Sequence, residues 1–302
     1  MELRQLKYAV KIAEEKNFSR AAAKLHIAQP SLSQQLSKLE KELGVRLFTR
    51  NTNAVELTHA GKLFIDKAQK VLDIVEQIHQ EMDDISKMRK GKLLVGSLPI
   101  TGSHILPQVL PAFKAKYPDI EISLIEDTTA NLEMLTATGQ ADISLLSLPL
   151  QDKSLEYVKI IEEEIWLCVP QNHRLNKALI NDPKYRVSLQ ELKDESFIVL
   201  KKGQGFRQIV MDLCASAGFA PKIVFESSNI DTVQSLVAAG MGIAFVPKMV
   251  ARTEGQLIPA YLPIEGANTA RTLVIAYKKG RYLSKAAKAF IETATEVLCE
   301  KR

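Results

Sequence analysis

Residues 18–44 read FSRAAAKLHIAQPSLSQQLSKLEKELG, and the order of residue types in them predicts two helices joined by a tight turn. Ser19 stands as an N-cap for a short helix over 19–25. Its Ala21, Ala22 and Ala23 let a neighbouring helix approach closely. His26-Ile27-Ala28 makes the turn. Gln29-Pro30 then opens a second helix with proline at its first position, where a missing N–H costs nothing. Leu32, Leu36, Leu39 and Leu43 follow at spacings of 4, 3 and 4, a stripe that one face of a helix buries. Gly44 closes it as a left-handed cap. The outward face carries Ser31, Ser33, Gln34, Gln35, Ser37 and Lys38. Short hydrogen-bonding side chains on the N-terminal part of a helix suit base edges in a major groove about one helix wide. A plain three-helix bundle with a solvated polar face needs none of the alanine run, the tight turn and the proline start.

The flanks agree. Leu3, Leu6, Val10 and Ala13 are spaced 3, 4 and 3 apart, an amphipathic helix ending near Lys16-Asn17. Past Gly44, Val45–Phe48 and Ala54–Leu57 read as two strands around Arg50-Asn51-Thr52-Asn53. That hairpin carries an arginine, Arg50, at its base, placed to meet phosphates. Residues 1–58 hold ten Lys/Arg against six Asp/Glu, while the other residues hold thirty against twenty-nine. The excess positive charge is thus concentrated where a nucleic-acid binder would carry it.

Phe18-Ser19-Arg20-Ala21-Ala22, the run Ala28 to Leu36, Leu39-Glu40, the run Leu43 to Arg50 and Thr58-His59-Ala60-Gly61 together resemble the LysR-type transcriptional regulators. The resemblance implies an α/β protein with an N-terminal winged helix-turn-helix, a long dimerising linker helix and a two-lobed effector domain. That domain would be of the periplasmic-binding-protein-like (type 2) kind. The DNA contacts would come from the helix-turn-helix over Phe18 to Ser37, with Gln29, Pro30, Ser31, Ser33, Gln34, Lys38, Arg50 and Thr52 as the contacting residues. The partners implied are a double-stranded operator with inverted-repeat symmetry, a small-molecule effector, and further copies of the chain as dimers that pair into tetramers. RNA polymerase would join them if the regulator activates.

The rest of the chain fits that organisation. Phe64, Ala68, Val71, Val75, Ile78, Met82 and Ile85 alternate spacings of 4 and 3, a heptad seam that favours pairing between helices of two subunits. Met88-Arg89-Lys90-Gly91-Lys92 reads as a basic hinge. Strands at Leu93–Ser97, Ile120–Ile125 and Asp142–Leu146 alternate with helices at Ser103–Lys116 and Thr129–Thr138, a βαβαβ unit. The order repeats with strands Phe197–Leu200, Ile223–Glu226 and Ile243–Val246 and helices near Phe206–Ala217 and Asn229–Ala239. Ile165–Val169 and Leu273–Lys278 suit crossing strands, and Ser284–Cys299 a final helix returning to the first lobe. The expected division is 1–58 for DNA binding, 59–91 for the linker and 92–302 for the effector domain. Within the last, lobe I is 92–163 with 268–302, and lobe II is 164–267.

Ligands of open α/β sheets bind at the carboxyl ends of the strands, which nominates Ser97, Pro99, Ile100, Thr101 and Ser103 in one loop and Thr128 in the next. Across the cleft stand Phe206, Arg207 and Ser227. Hydroxyls and helix-start N–H groups favour an anion, and Arg207 can pair with a carboxylate on the effector, although an exposed arginine also reads as simply solvated. Any one of these Ser and Thr residues also reads as a helix cap, and Ser228-x-x-Asp231 has the form of a capping box.

Other functions find little support. No apolar run reaches the ~18 residues of a membrane span, and the charged start MELRQLKYAVKIAEEKNFSR is no secretory signal. A cytoplasmic protein is expected. Cys168, Cys214 and Cys299 lack metal or disulfide spacing, the five histidines are scattered, and no metal or cofactor is expected. Gly203-x-Gly205 lacks the third glycine of a dinucleotide loop, and no nucleophile, zincin or phosphate-loop motif occurs, so no enzyme is expected. A solute-binding protein of the same lobed form would not carry a basic helix-turn-helix. A thiol switch is opposed by the 46 residues between Cys168 and Cys214, which read as buried apolar thiols.

Overall fold

The computed structural model describes residues 1–51, 54–85, 91–255, 257–266 and 269–299. They form two compact units, Met1–Lys87 and Met88–Arg302.

In the first unit α1 (Leu3–Glu15), α2 (Phe18–Lys24) and α3 (Gln29–Leu43) enclose a core of Ala9, Ile12, Ala21, Ala22, Leu32, Leu36 and Leu39. The cap of α2 is Asn17, not Ser19: its side chain accepts from Arg20 N–H at 3.0 Å. The helix starts early enough to place Phe18 in its first turn, where the ring meets Phe48 edge-on at 6.3 Å. Gly44 ends α3 with φ +70°, the left-handed region that glycine enters freely.

The hairpin is formed by β1 (Phe48–Asn51) and β2 (Ala54–Leu57), paired from Phe48↔Leu57 to Asn51↔Ala54. The first strand therefore begins three residues later than Val45. Before the ladder starts, the N–H groups of Leu47 and Phe48 are already taken by Glu40 Oε1 at 2.7 and 3.3 Å. Arg50 and Asn51 belong to the ladder and not to the turn. Thr52 lies outside the described residues, as do the side chain of Arg50 and those of the linker's last turn, including Ile85.

Helix α4 (His59–Ile85) follows. The start of its apolar stripe is used within the unit, where Ala68 is buried with Leu6 and Val10, and Phe64, Ile65 and Leu72 pack on them. Beyond that, Val71, Ile74, Ile78 and Met82 are 43%, 56%, 54% and 52% exposed. Such a row of large apolar groups in water is unusual for one helix.

The second unit contains β3 (Lys92–Ser97), α5 (Pro99–Lys116), β4 (Glu121–Glu126), α6 (Thr129–Ala137), β5 (Ile143–Ser147) and the long β6 (Leu155–Val169). Then come α7 (Arg174–Asn181), β7 (Ser196–Leu200), α8 (Gly205–Ser216), β8 (Lys222–Ser227), α9 (Ile230–Ala238), β9 (Ala244–Pro247), β10 (Ala260–Pro263), β11 (Ala270–Lys278) and α10 (Lys285–Cys299). In the first lobe β4, β3 and β5 run parallel, and β11 and β6 complete the sheet antiparallel. Strand β6 changes partner along its length. Leu155–Glu164 pairs with β11, and Ile165–Val169 with β9 and β10 of the second lobe. Parallel β7 and β8 join that lobe through a Phe197↔Ile243 bridge.

Each lobe has its own apolar core, one around Leu167, Phe197 and Val237, the other around Leu93, Val109, Phe113 and Phe290. The last core takes in α10, which returns to the first lobe. Met249 packs against both. Helix α7 and strand β10 are absent from the sequence reading, because each is short and flanked by polar, Pro-containing segments.

Candidate nucleic-acid interface and effector cleft

On α3, the sides away from the Leu32–Leu36–Leu39 stripe are open. Gln29, Pro30, Ser31, Gln34, Ser37 and Lys38 are exposed, and Ser33 is half-buried. Gln29 Nε2 donates to Ser33 Oγ at 2.9 Å along the helix surface. Lys38 Nζ lies 4.0 Å from Glu2 Oε1 with its side chain 65% exposed, a contact worth little in water. No acidic residue stands in the first turn of α3, so its N–H ends, which favour phosphate, are not masked by a carboxylate.

What ties the start of the hairpin to the linker helix was not read from the sequence. Thr58 Oγ1 donates to Arg46 O at 2.7 Å and accepts from Gly61 N–H at 2.9 Å, while Thr58 N–H donates to Leu47 O at 3.0 Å. A Cβ on Gly61 would sit 2.0 Å from Leu47 O. Thr58-His59-Ala60-Gly61 is therefore the joint where strand and linker helix cross at backbone contact. Any side chain at Gly61 would force them apart.

In the second unit the starts of α5, α6, α8 and α9 converge between the lobes on a cavity of about 640 Å³. Pro99, Ile100, Ser103, Thr128 and Phe206 line it. A wider compartment of about 1310 Å³ opens beside α6 and α8. Between the two, Gly205 N–H donates to Thr129 Oγ1 at 2.9 Å, a direct hydrogen bond from lobe to lobe.

The remaining predicted cleft residues are placed otherwise. Helix α5 starts at Pro99, four residues earlier than expected, because proline is well suited to an opening turn. This turns the supposed loop into helix. Thr101 becomes a core residue, 0% exposed, whose Oγ1 has no partner among the described residues. Ser97 is equally buried and donates to Leu98 O. Ser103 stays at the cavity, but its Oγ donates to Ile100 O and faces His104 Nδ1.

Ser227 Oγ accepts from Asn229 N–H. The cap of α9 is Asn229, which accepts from Asp231 and Thr232 N–H, and not a Ser228–Asp231 box. Arg207 is already engaged: its Nη1 donates to Leu200 O at 2.6 Å and Glu226 Oε1 at 2.7 Å. It lines the wider compartment and offers no free charge to an anion. The spacing could not show Glu226, which stands on the neighbouring strand.

Where β6 passes between the lobes, Glu163 and Arg271 form a buried ion pair, Nε to Oε2 at 2.6 Å, with side chains 5% and 0% exposed. Met249 N–H donates to the other carboxylate oxygen at 2.7 Å. The guanidinium lies 5.5 Å from the ring of Phe206, one of the cleft residues. Burial pulls the Arg271 pKa down, opposed by the charge of Glu163 and its hydrogen bond.

Comparison with known proteins settles the family. A model of the bacterial regulatory helix-turn-helix protein, lysR family, matches residues 3–62, and one of the LysR substrate binding domain matches residues 86–299. The chain belongs to the LysR family of transcriptional regulators. It is 40% identical over 310 residues to the uncharacterized HTH-type transcriptional regulator YcgK of Bacillus subtilis, covering 99% of this chain and 95% of that one. It is 30% identical over 285 residues to the hydrogen peroxide-inducible genes activator of Haemophilus influenzae, covering 93% and 91%. Among solved structures, a full-length OxyR variant from Pseudomonas aeruginosa superposes with a TM-score of 0.76 at 28% identity, covering 97% and 94%. As a LysR regulator, the chain pairs a DNA-binding head with a substrate-binding domain. Among the described residues, no helix is long and apolar enough to cross a membrane.

Proposed function

We propose that this LysR regulator reads an inverted-repeat operator in the cytoplasm as a dimer or as a tetramer of paired dimers. A small molecule held between the lobes of its second unit adjusts that binding. The observation that carries the reading is the polar side of α3, where Gln29, Pro30, Ser31, Gln34, Ser37 and Lys38 are exposed while Leu32, Leu36 and Leu39 anchor the opposite side. Gln34 is assigned to base edges, and Arg50 and Thr52 to phosphates. Residues 1–58, 59–91 and 92–302 are the working division into head, linker and effector domain. The exposed stripe Val71–Ile74–Ile78–Met82 supports pairing of linkers, and a two-fold protein calls for a two-fold operator. RNA polymerase becomes a partner if the bound regulator activates. The cleft serves as a ligand site without catalysis. The test is a footprint of the full-length protein on DNA upstream of its own gene. Protection of two half-sites about one or two helical turns apart is expected, and uniform weak protection would reject the reading.

Kinship to a hydrogen peroxide-inducible genes activator raises a thiol switch as a second reading, and this chain's own residues speak against it. The thiolate is the reactive form, yet burial raises the Cys214 pKa to about 11 and pushes Cys168 higher still. In the native protein only Cys299, which is exposed, is expected to react quickly with a thiol reagent, with all three reacting after denaturation. Rapid native labelling of Cys214, or loss of operator binding on mild peroxide treatment, would restore the switch.

A further inference from the structure

The chemistry of the wider compartment differs from that expected of an anion site. Glu133 on α6 lines it and is only 4% exposed. Its Oε2 is fully employed, accepting the N–H groups of Gln151 and Asp152 at 2.9 and 2.8 Å. Its Oε1 is buried and has no hydrogen-bond partner among the described residues, and no Lys or Arg among them pairs with the carboxylate. Ser147, at the carboxyl end of β5, lines the same compartment at 4% exposure, and its Oγ is likewise buried and unpartnered. Two unsatisfied oxygens among the residues of one compartment are a rare arrangement, because buried polar groups are nearly always paired. An unpaired carboxylate oxygen is the costliest of them.

The cations around the compartment do not answer it. Arg207 is held by Glu226 and Leu200 O, and Lys153 and Lys202 are exposed. The rest of the lining is mixed: Met134, Met211 and Leu148 offer apolar, adaptable ground among polar and acidic side chains that include Asp152, Gln208 and Asp212.

We propose that the effector carries a primary amine, seated as an ammonium against Glu133 Oε1 with Ser147 Oγ as a second acceptor, and an alkyl portion against Met134 and Met211. This rests on the reading of the interlobe cleft as the effector site and assigns the chemistry of its ligand. An ammonium supplies three donors, and a charge-assisted bond in a partly dry site is stronger than a neutral one. The helix starts around the adjoining cavity remain available to an acceptor group on the same molecule.

Titration calorimetry of the full-length protein with n-pentylammonium, and with pentanoate as its charge-reversed match, tests this. Saturable binding of the amine is expected. Glu133→Gln keeps an oxygen for the Gln151 and Asp152 N–H groups and replaces the free acceptor by a donor. It should weaken the amine about tenfold or more. Should that variant melt far below wild type, Ser147→Ala, which leaves the loop clasp untouched, carries the test with an expected loss of severalfold. No saturable amine binding by wild type overturns the proposal, and so does equal binding by wild type and the folded variant. Saturable binding of pentanoate alone overturns the amine and leaves the cleft as the effector site. The cleft reading itself fails on a different measurement: operator occupancy that changes with a metabolite and stays so in every cleft variant.

Discussion

Glu163→Ala is expected to cost the full-length protein ~3–5 kcal/mol, the penalty of leaving a buried charge without its partner. Arg271 is the charge left behind. Its guanidinium side chain is 0% exposed and its Nη1 already lacks a partner, and Glu163 is the one carboxylate paired with it among the described residues. The loss falls where β6 passes from one lobe to the other, since Glu163 pairs with Arg271 on β11 and holds Met249 N–H from the second lobe. At roughly 2–4 °C per kcal/mol for a domain of this size, the melting transition of the second unit should fall by about 10 °C. Replacing both partners, as in Glu163→Met with Arg271→Met, should recover most of the loss, because an apolar pair in place of a buried ion pair is often neutral or better. Calorimetric scans of wild type, single and double variants check this. A single variant that melts with wild type would show that water enters this joint and carries the charge.

The second large effect is expected on the linker. Ile78→Asp puts a carboxylate in the middle of the exposed row of Val71, Ile74, Ile78 and Met82. In a monomer this is a harmless surface change. Across a paired seam it sets two like charges against each other in apolar surroundings, costing several kcal/mol. Sedimentation should show dimers falling apart through this contact while the melting of the first unit hardly moves. Operator affinity should drop by orders of magnitude, because the two heads then bind as separate molecules. Ile78 is the better probe than Val75, which is half-buried in its own subunit. An unchanged assembly with full operator affinity would mean that the stripe covers some other surface.

Most of the fold was legible because local rules and tertiary packing agree in it. The leucine stripe of α3, its proline start and the Gly44 cap each state the same boundaries. Except for β6, the strands and helices expected in the second unit fall within a few residues of their expected ends. Strand β6 begins at Leu155, ten residues before the expected Ile165, because its first part pairs with β11 inside the first lobe. Errors arose where several residues could play one part. Asn17 and Ser19 both make good caps, and the need to bury Phe18 against Phe48 decided between them. Val45 looks like strand, but a side chain from α3, Glu40, takes the N–H groups of Leu47 and Phe48, and the ladder starts only at Phe48.

The cleft was the least legible region. Thr101 looks like a ligand contact in a loop and is a core residue in a helix that starts four residues early. Arg207 looks free until β8 brings Glu226 beside it. Glu133 raised no signal at all, because its burial depends on a loop, Gln151-Asp152, that only the folded chain brings to it. Charge in a sequence says nothing of its partner.

The claim that α3 reads DNA is tested most directly by competition binding of wild type and Gln34→Ala to the footprinted site and to unrelated DNA, over a salt series. Gln34 is exposed on the outward side of α3, so its removal leaves the core intact. The account predicts that Gln34→Ala loses ~1–3 kcal/mol of preference for the specific site and keeps its binding to unrelated DNA and its salt slope. Arg50→Ala, in contrast, should weaken both DNAs alike and flatten the slope by about one unit. A Gln34→Ala protein with its full preference for the site would contradict the account.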